Sequence, residues 1–457
     1  MNDGQHQLKR GLKNRHIQLI ALGGAIGTGL FLGIASTIQM AGPSVLLGYA
    51  IAGAVAFLIL RQLGEMIVAE PVAGSFAHFA DKYCGRRAGF ISGWNYWVMY
   101  ILVSLAELTA LGIYMQYWFP ELPTWVSALG FFVLVNLLSL LNVKVFGELE
   151  FWFAVVKVVA VVGMIVFGLY LLIGGGAGPE AGVSNLWRHG GFFPNGVGGL
   201  AMAMAVIMFS FGGLELIGIT AAEADDPART IPSATNNAVY RILIFYIGAL
   251  AVLLMLFPWQ KVVTGGSPFV LIFAALDNGW VANVLNLVVL TAALSVYNGC
   301  VYANSRMLFG LAEQGNAPRA LMRTNARGVP LNALAVSAVA TGSAVLINYF
   351  LPRDALGLVM SLAVAALVIN WAMISWSHLR FRRHNDSAGA TPLFRSPWFP
   401  ISNYICLAFV AILLVIMALT PGLRISVILI PIWLALLGLG FWLRERRARI
   451  TPAPGPR

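Results

Sequence analysis

The sequence predicts an all-α integral membrane protein: twelve helical spans, arranged as two inverted five-span repeats with two further helices added. Three observations carry this. The 457-residue chain is 59% hydrophobic and only 10% charged, with mean hydropathy +0.81, where a soluble domain has roughly 25% charged residues. Apolar runs of about 20 residues, each long enough to span a bilayer, recur near 17–41, 45–67, 88–118, 124–142, 151–173, 198–222, 239–258, 270–304, 332–351, 355–378, 402–420 and 425–443. The first and sixth of these runs are interrupted near mid-length by glycine clusters.

The interruptions are Gly23-Gly24-Ala25-Ile26-Gly27-Thr28-Gly29 in span 1 and Phe209-Ser210-Phe211-Gly212-Gly213-Leu214-Glu215 in span 6. A spanning helix must satisfy its backbone polar groups internally, so unwound backbone at mid-membrane is tolerated only where it lines a cavity. Breaks at corresponding places in two halves of a chain mark the substrate site of an inverted-repeat transporter. Close helix packing through small residues is the plainer alternative. An odd number of spans per repeat inverts the second relative to the first. The expected units are a tail 1–16, a first repeat 17–175, a second repeat 198–378, spans 11–12 at 402–443 and a tail 444–457.

The net charge of +11 invites a nucleic-acid reading, but its distribution argues against nucleic acid as a partner. Of the 29 Lys and Arg, 24 fall on the N-terminal side of the predicted bilayer. Only Arg188, Lys261, Arg353 and Arg424 fall on the other, and Lys157 lies within a span. The positive-inside rule then puts both termini in the cytoplasm. Cys84, Cys300 and Cys406 are odd in number and imply no disulfide framework. The first span is expected to be retained, since no small-residue cleavage site follows it.

Unwinding frees backbone groups. Amides of Thr28, Gly29 and Leu30, at the positive end of the second half-helix, suit a carboxylate. Carbonyls near Ala25, Ile26, Phe209 and Ser210 suit an ammonium. The pair of sites fits a zwitterionic amino acid, with Gly27, Phe211, Gly212 and Gly213 completing the backbone cradle. Lys157 sits inside span 5, where a charge costs at least roughly 2.5–3.5 kcal/mol on insertion scales. It either neutralises freed carbonyls and titrates during transport, or snorkels to the interface. Glu107, mid-span 3, shares a helix face with Tyr100, Ser104, Leu111 and Tyr114. It either handles a proton or substrate ammonium, or is a protonated structural acid. Glu215 ends the second break as a cap, gate or proton site. Glu65 is expected to pair with Arg61. Thr291, Ser295, Asn298, Tyr302 and Ser305 make one polar face of span 8, which either supports Lys157 or freed backbone or makes ordinary interhelical hydrogen bonds.

Phe31, Tyr100, Phe209 and Phe211 could wall an apolar side chain, with Phe209 or Phe211 as an inner lid. Trp94, Tyr96, Trp97, Tyr117 and Trp118 read as interfacial belt. The six His show no metal-ligand spacing, and neither Walker A nor Gly-x-Ser-x-Gly occurs. No metal or organic cofactor and no enzyme activity are expected. Concentrative transport would draw on an ion gradient, worth ~2.3 kcal/mol per charge per 100 mV.

The run from Leu8 through the first glycine cluster to Phe31 resembles the amino acid permeases of the amino acid–polyamine–organocation superfamily. So do Glu70-Pro71-Val72-Ala73-Gly74-Ser75, Gly93-Trp94-Asn95-Tyr96-Trp97, the second glycine cluster and Asn304-Ser305-Arg306. Ala106-Glu107-Leu108-Thr109-Ala110 and Ile219-Thr220-Ala221-Ala222-Glu223-Ala224 are most like the bacterial aromatic amino acid permeases. The resemblance implies a LeuT-like fold, the inner membrane, and symport of an aromatic amino acid with a proton. It carries substrate contacts onto Ala25–Gly29 and Phe209–Gly213 and a proton-linked role onto Lys157. Tyr100 stands where phenylalanine-type carriers have Phe and general aromatic carriers Tyr, which favours acceptance of Phe, Tyr and Trp. A carrier for another neutral amino acid, and a non-transporting membrane sensor, are the alternatives. Oligomeric state is left open.

Overall fold

The computed structural model describes residues 26–72, 75–141, 143–175, 178–220, 226–262, 267–270, 279–351, 355–387 and 393–450. The tail 1–16, Ala25, the run Ala221–Ala224, Arg353 and residues 451–457 lie outside these.

Helix follows helix along the described chain. Ile26 and Gly27 form a bend, and Gly29–Gly33 winds as a π-helical turn that continues as α1 (Ile34–Ala41). Gly42, at φ 59°, turns the chain against Pro194 before α2 (Val45–Ala69). Then come α3 (Ser75–Cys84), α4 (Arg86–Gln116), α5 (Thr124–Leu138) and α6 (Val143–Ile173). The second half runs α7 (Gly196–Phe209), α8 (Leu216–Thr220), α9 (Pro227–Leu256), α10 (Gly279–Glu313), α11 (Leu331–Phe350) and α12 (Ala355–Ser387). The last two are α13 (Ile401–Leu419) and α14 (Arg424–Ile450). Asp226 caps α9 by accepting from the Arg229 amide at 3.3 Å, with Pro227 at the first helical position.

Among the described residues, eight stretches are long and apolar enough to cross a membrane; α5, α7 and Leu243–Leu256 are shorter apolar helices. Burial sorts them. The most apolar window of α4 is 72% buried within the protein, against 22% for α6 and 17% for α14. An apolar face that protein does not cover must face lipid, so α4 is a central helix and α6 and α14 lie at the lipid boundary. Helix α4 packs on α3, α5, α10 and α12, while α1 packs on α7 and α2 on α9.

Three local expectations change. The segment between spans 2 and 3 is helical as α3, because Phe76, Ala77, Phe79 and Ala80 repeat on one face and bury it, α3 packing on α4 and α12. Tyr96 is fully buried, with its ring edge-on to Phe76 at 4.3 Å, and is no part of an interfacial belt. Glu65 does not pair with Arg61. Its carboxylate accepts from the Ser396 amide at 2.6 Å and lies 3.0 Å from His378 Nε2 and 2.6 Å from Arg382 Nε. Arg61 instead donates to Asn236 at 2.9 Å and to the Arg395 carbonyl, over the Phe394 ring. Asn403 Nδ2 donates to His378 Nδ1, which leaves Nε2 as the protonated nitrogen that meets Glu65. This buried network ties α2, α12 and α13 at one end of the bundle. Outside the spans, Glu70 accepts from Lys82 and from the Tyr83 hydroxyl at 3.0 Å. Burial alone would raise its pKa, but those contacts win and hold the carboxyl below its ordinary value.

Candidate substrate and coupling site

The second predicted interruption is a break between two helices, and the described part of the first, 26–29, abuts it. Helix α7 ends at Phe209, residues 210–215 form a turn with Gly213 at φ 97°, and α8 resumes at Leu216. Only glycine adopts that φ without strain. On the other break, a Cβ added to Gly29 would stand 2.6 Å from Ser210 Oγ and 2.7 Å from Ser210 Cα. No side chain fits there without moving backbone. Gly29→Val is therefore expected to reduce uptake at least about tenfold while the protein still inserts; normal uptake at equal membrane abundance would show that the breaks need not touch.

The freed backbone is largely spoken for in this conformation. The Ser210 carbonyl accepts from the Tyr246 hydroxyl at 2.9 Å, and Ser210 Oγ lies 3.1 Å from Tyr49 Oη. The Phe209 carbonyl accepts from the Gly212 amide at 3.2 Å. Each of these two carbonyls thus already accepts one hydrogen bond here. The Leu30 amide closes a turn onto the Gly27 carbonyl at 3.1 Å and is likewise occupied. The Thr28 amide and hydroxyl both donate to Glu107, at 3.4 and 2.5 Å. A carboxylate thus does sit at the start of the second half-helix, as the helix dipole favours, but it belongs to the chain itself.

Around this contact lies a closed cavity of about 20 Å³, lined by Gly27, Gly29, Glu107, Phe209 and Gly212, with Met99, Val103, Val296, Ala363, Val364 and Leu367 as its apolar wall. That volume is near the room one water needs, too little for an amino acid. A larger cavity of about 610 Å³ lies beyond it. It is lined by Met40 at the end of α1, by Leu356, Gly357 and Met360 at the start of α12, and by Thr420, Gly422 and Leu423 between α13 and α14. Phe209 and Val364 line both cavities. Phe209 thus lies between the small cavity and the α1 C-terminal end, away from the Glu65 cluster. Phe211 faces elsewhere, stacked on Tyr246 at 5.6 Å and near Tyr49. Of the two residues expected as inner lid, Phe209 lines both cavities and Phe211 lines neither. Tyr100 lines neither cavity; its hydroxyl accepts from Tyr96 at 3.1 Å, while Met99 and Val103 present the wall. Ile26 is buried beside the bend, and Phe31 packs edge-on to Phe269.

Lys157 is 0% exposed, which excludes snorkelling. Its Nζ donates to Ser295 Oγ at 2.9 Å, Ser295 Oγ donates to Glu150 Oε2 at 2.7 Å, and Asn298 Nδ2 donates to Glu150 Oε1 at 2.8 Å. Of the predicted supporting residues, Ser295 accepts from the lysine and Asn298 donates to Glu150. Tyr302 does not join them, stacking instead on Phe146 at 4.1 Å with Arg306 4.0 Å from its ring. Glu150 was missed because the predicted span began at 151. Its spacing of seven from Lys157, two helical turns on one face, was the available signal. Glu215 is buried at the end of the second break and faces the Gly213 amide and the Trp371 ring nitrogen. Among the described residues, no three His, Cys, Asp or Glu are grouped to hold a metal.

A bundle of helices long and apolar enough to cross a membrane, with a helix break set against Gly29 at a small cavity and a buried lysine–carboxylate cluster beside it, has the form of a helical membrane permease. A family model described as amino acid permease matches residues 16–451. The chain is 65% identical over 455 residues to the aromatic amino acid transport protein AroP of Escherichia coli K12, covering 99% of this chain and all of that one. It is 64% identical over 455 residues to AroP of Salmonella typhimurium LT2, with the same coverage. It is 44% identical over 440 residues to the uncharacterized amino acid permease YtnA of Bacillus subtilis 168, covering 96% of this chain and 95% of that one. The chain belongs to the amino acid permease family, a family of multi-pass membrane transport proteins and not of enzymes.

Proposed function

We propose that this protein imports the aromatic amino acids Phe, Tyr and Trp across the bacterial inner membrane, in symport with protons and by alternating access. The observation that carries the transport reading is the break at 210–215 set against Gly29, beside a small cavity that shares Phe209 and Val364 with a wide vestibule. The aromatic reading rests on the 65% identity to AroP proteins along the whole chain. The architecture that goes with it is twelve spans in a LeuT-like five-plus-five inverted repeat, 17–175 and 198–378, with 402–443 added and both termini cytoplasmic.

In this reading the vestibule of α1, α7 and α12 faces the periplasm. Substrate enters there, and Phe209 swings aside, which merges the small cavity with the 610 Å³ space. The aromatic side chain lies against Met99, Val103, Val296, Ala363 and Leu367, whose apolar surfaces gain about 25 cal/mol per Å² removed from water. The substrate carboxylate competes with Glu107 for the amides at Thr28 and Gly29. Protonating Glu107 weakens its hold on Thr28, so a proton and a substrate carboxylate favour each other's binding. Lys157, held by Ser295 near Glu150, is the second proton-linked group.

Uptake of labelled phenylalanine by cells or proteoliposomes, challenged with excess Tyr, Trp, Leu or Lys, tests the substrate class. Block by Tyr and Trp alone is the expected result. Block mainly by Leu would move the assignment to another neutral amino acid. Substrate binding without uptake would favour the sensor reading.

A further inference from the structure

We propose that Glu150 is the proton acceptor on the release side of the cycle, and that Ser295 is the relay that delivers the proton from Lys157. This deepens the proton-symport reading of the same site and rests on it. The geometry is a continuous hydrogen-bonded wire. Lys157 Nζ donates to Ser295 Oγ at 2.9 Å, and Ser295 Oγ donates to Glu150 Oε2 at 2.7 Å. Asn298 fixes the other carboxylate oxygen at 2.8 Å. A hydroxyl that accepts from an ammonium and donates to a carboxylate is already oriented for transfer in that direction. All four side chains are buried, at 0% exposure for Lys157 and Ser295, 3% for Glu150 and 5% for Asn298, so water does not compete for the wire.

The wire also has a direction across the membrane. Seven residues separate Glu150 from Lys157, about 10 Å along a helix, and Glu150 is the nearer to the α6 start, where Lys144 is exposed. On that side the Tyr302 ring, one turn beyond Asn298, stacks on Phe146 with a tilt of 4° and carries Arg306 on it. The stack lies between this end of α6 and α10, and the proton on Glu150 leaves when the two part.

The step balances without any other reactant. The N–H bond of the Lys157 ammonium breaks and its electron pair stays on Nζ. The proton bonds to Ser295 Oγ while the original Ser295 O–H breaks, and that proton bonds to Glu150 Oε2. The products are a neutral amine, an unchanged serine and a neutral carboxylic acid. The titratable groups that act on this wire are Glu107, through Lys157, and Cys300, through Glu150, with Arg306 beyond Tyr302.

The test compares Glu150→Gln and Ser295→Ala with the wild type in sodium-free proteoliposomes. Three quantities are read: proton-driven accumulation of labelled phenylalanine, substrate-linked proton flux with a trapped pH dye, and counterflow exchange. Exchange needs substrate binding and alternating access but no net proton release. Both variants are expected to lose about 10²-fold in accumulation and in proton flux, the usual scale for a lost proton-transfer group, while exchange survives within about tenfold. Wild-type proton flux in Glu150→Gln would overturn the assignment. So would joint loss of exchange and accumulation in both variants, which would mark the cluster as structural. If the wild type itself ignores the proton gradient, the symport reading fails first, and the two failures are thereby distinct.

Discussion

Lys157→Ala is expected to abolish accumulation of substrate against a gradient. The lysine is fully buried and donates to Ser295, which in turn donates to Glu150. Removing it leaves Glu150 charged in the protein interior without its compensating ion. Breaking a buried ion pair from one side costs about 3–5 kcal/mol, so the carboxylate must take up a proton permanently or the cluster must rearrange. Either outcome removes the group proposed to change charge through the cycle. The check is accumulation normalised to folded protein, scored by monodispersity in detergent. Accumulation equal to wild type would remove Lys157 from coupling.

The second large effect is on stability. Glu65→Ala would leave Arg382 and His378 facing an empty site at 0–8% side-chain exposure, and the Ser396 amide without its acceptor. The expected cost is about 3–5 kcal/mol, read as a lowered thermal midpoint of the purified protein. Glu65→Gln keeps an acceptor for the amide and should fall between the two. An unchanged midpoint for Glu65→Ala would mean that the α2–α12–α13 network contributes nothing to folding.

The break at 210–215 was legible in the sequence because a glycine cluster in an apolar span contradicts the requirement that a spanning backbone satisfy itself. The membrane-crossing character and the buried lysine were legible for the same reason: a mid-span charge conflicts with lipid. The partners were another matter. Glu150 sits at a span end, where an acid is unremarkable, and only the fold brings it to Ser295 and Asn298 of α10. Glu65 stands four residues from Arg61, a spacing that suggests a helical ion pair. Its neighbours His378, Arg382 and Ser396, more than 300 residues away, offer a better one. Tyr49 and Tyr246, which occupy the Ser210 hydroxyl and carbonyl, carried no pattern that pointed to a site. Glu107 was read as a mid-membrane acid on the substrate side, but helix periodicity cannot tell which backbone amide an acid will meet. The same limit applies to Tyr100, which is buried but lines neither cavity. Its neighbours Met99 and Val103 turned out to hold the wall.

The central claim is proton-driven transport through this site. Phenylalanine accumulation in sodium-free proteoliposomes, with and without an inward proton gradient, tests it most directly. The account predicts concentrative uptake only with the gradient, abolished by a protonophore. Equal uptake in both conditions, or uptake that appears only when sodium is supplied, would contradict it.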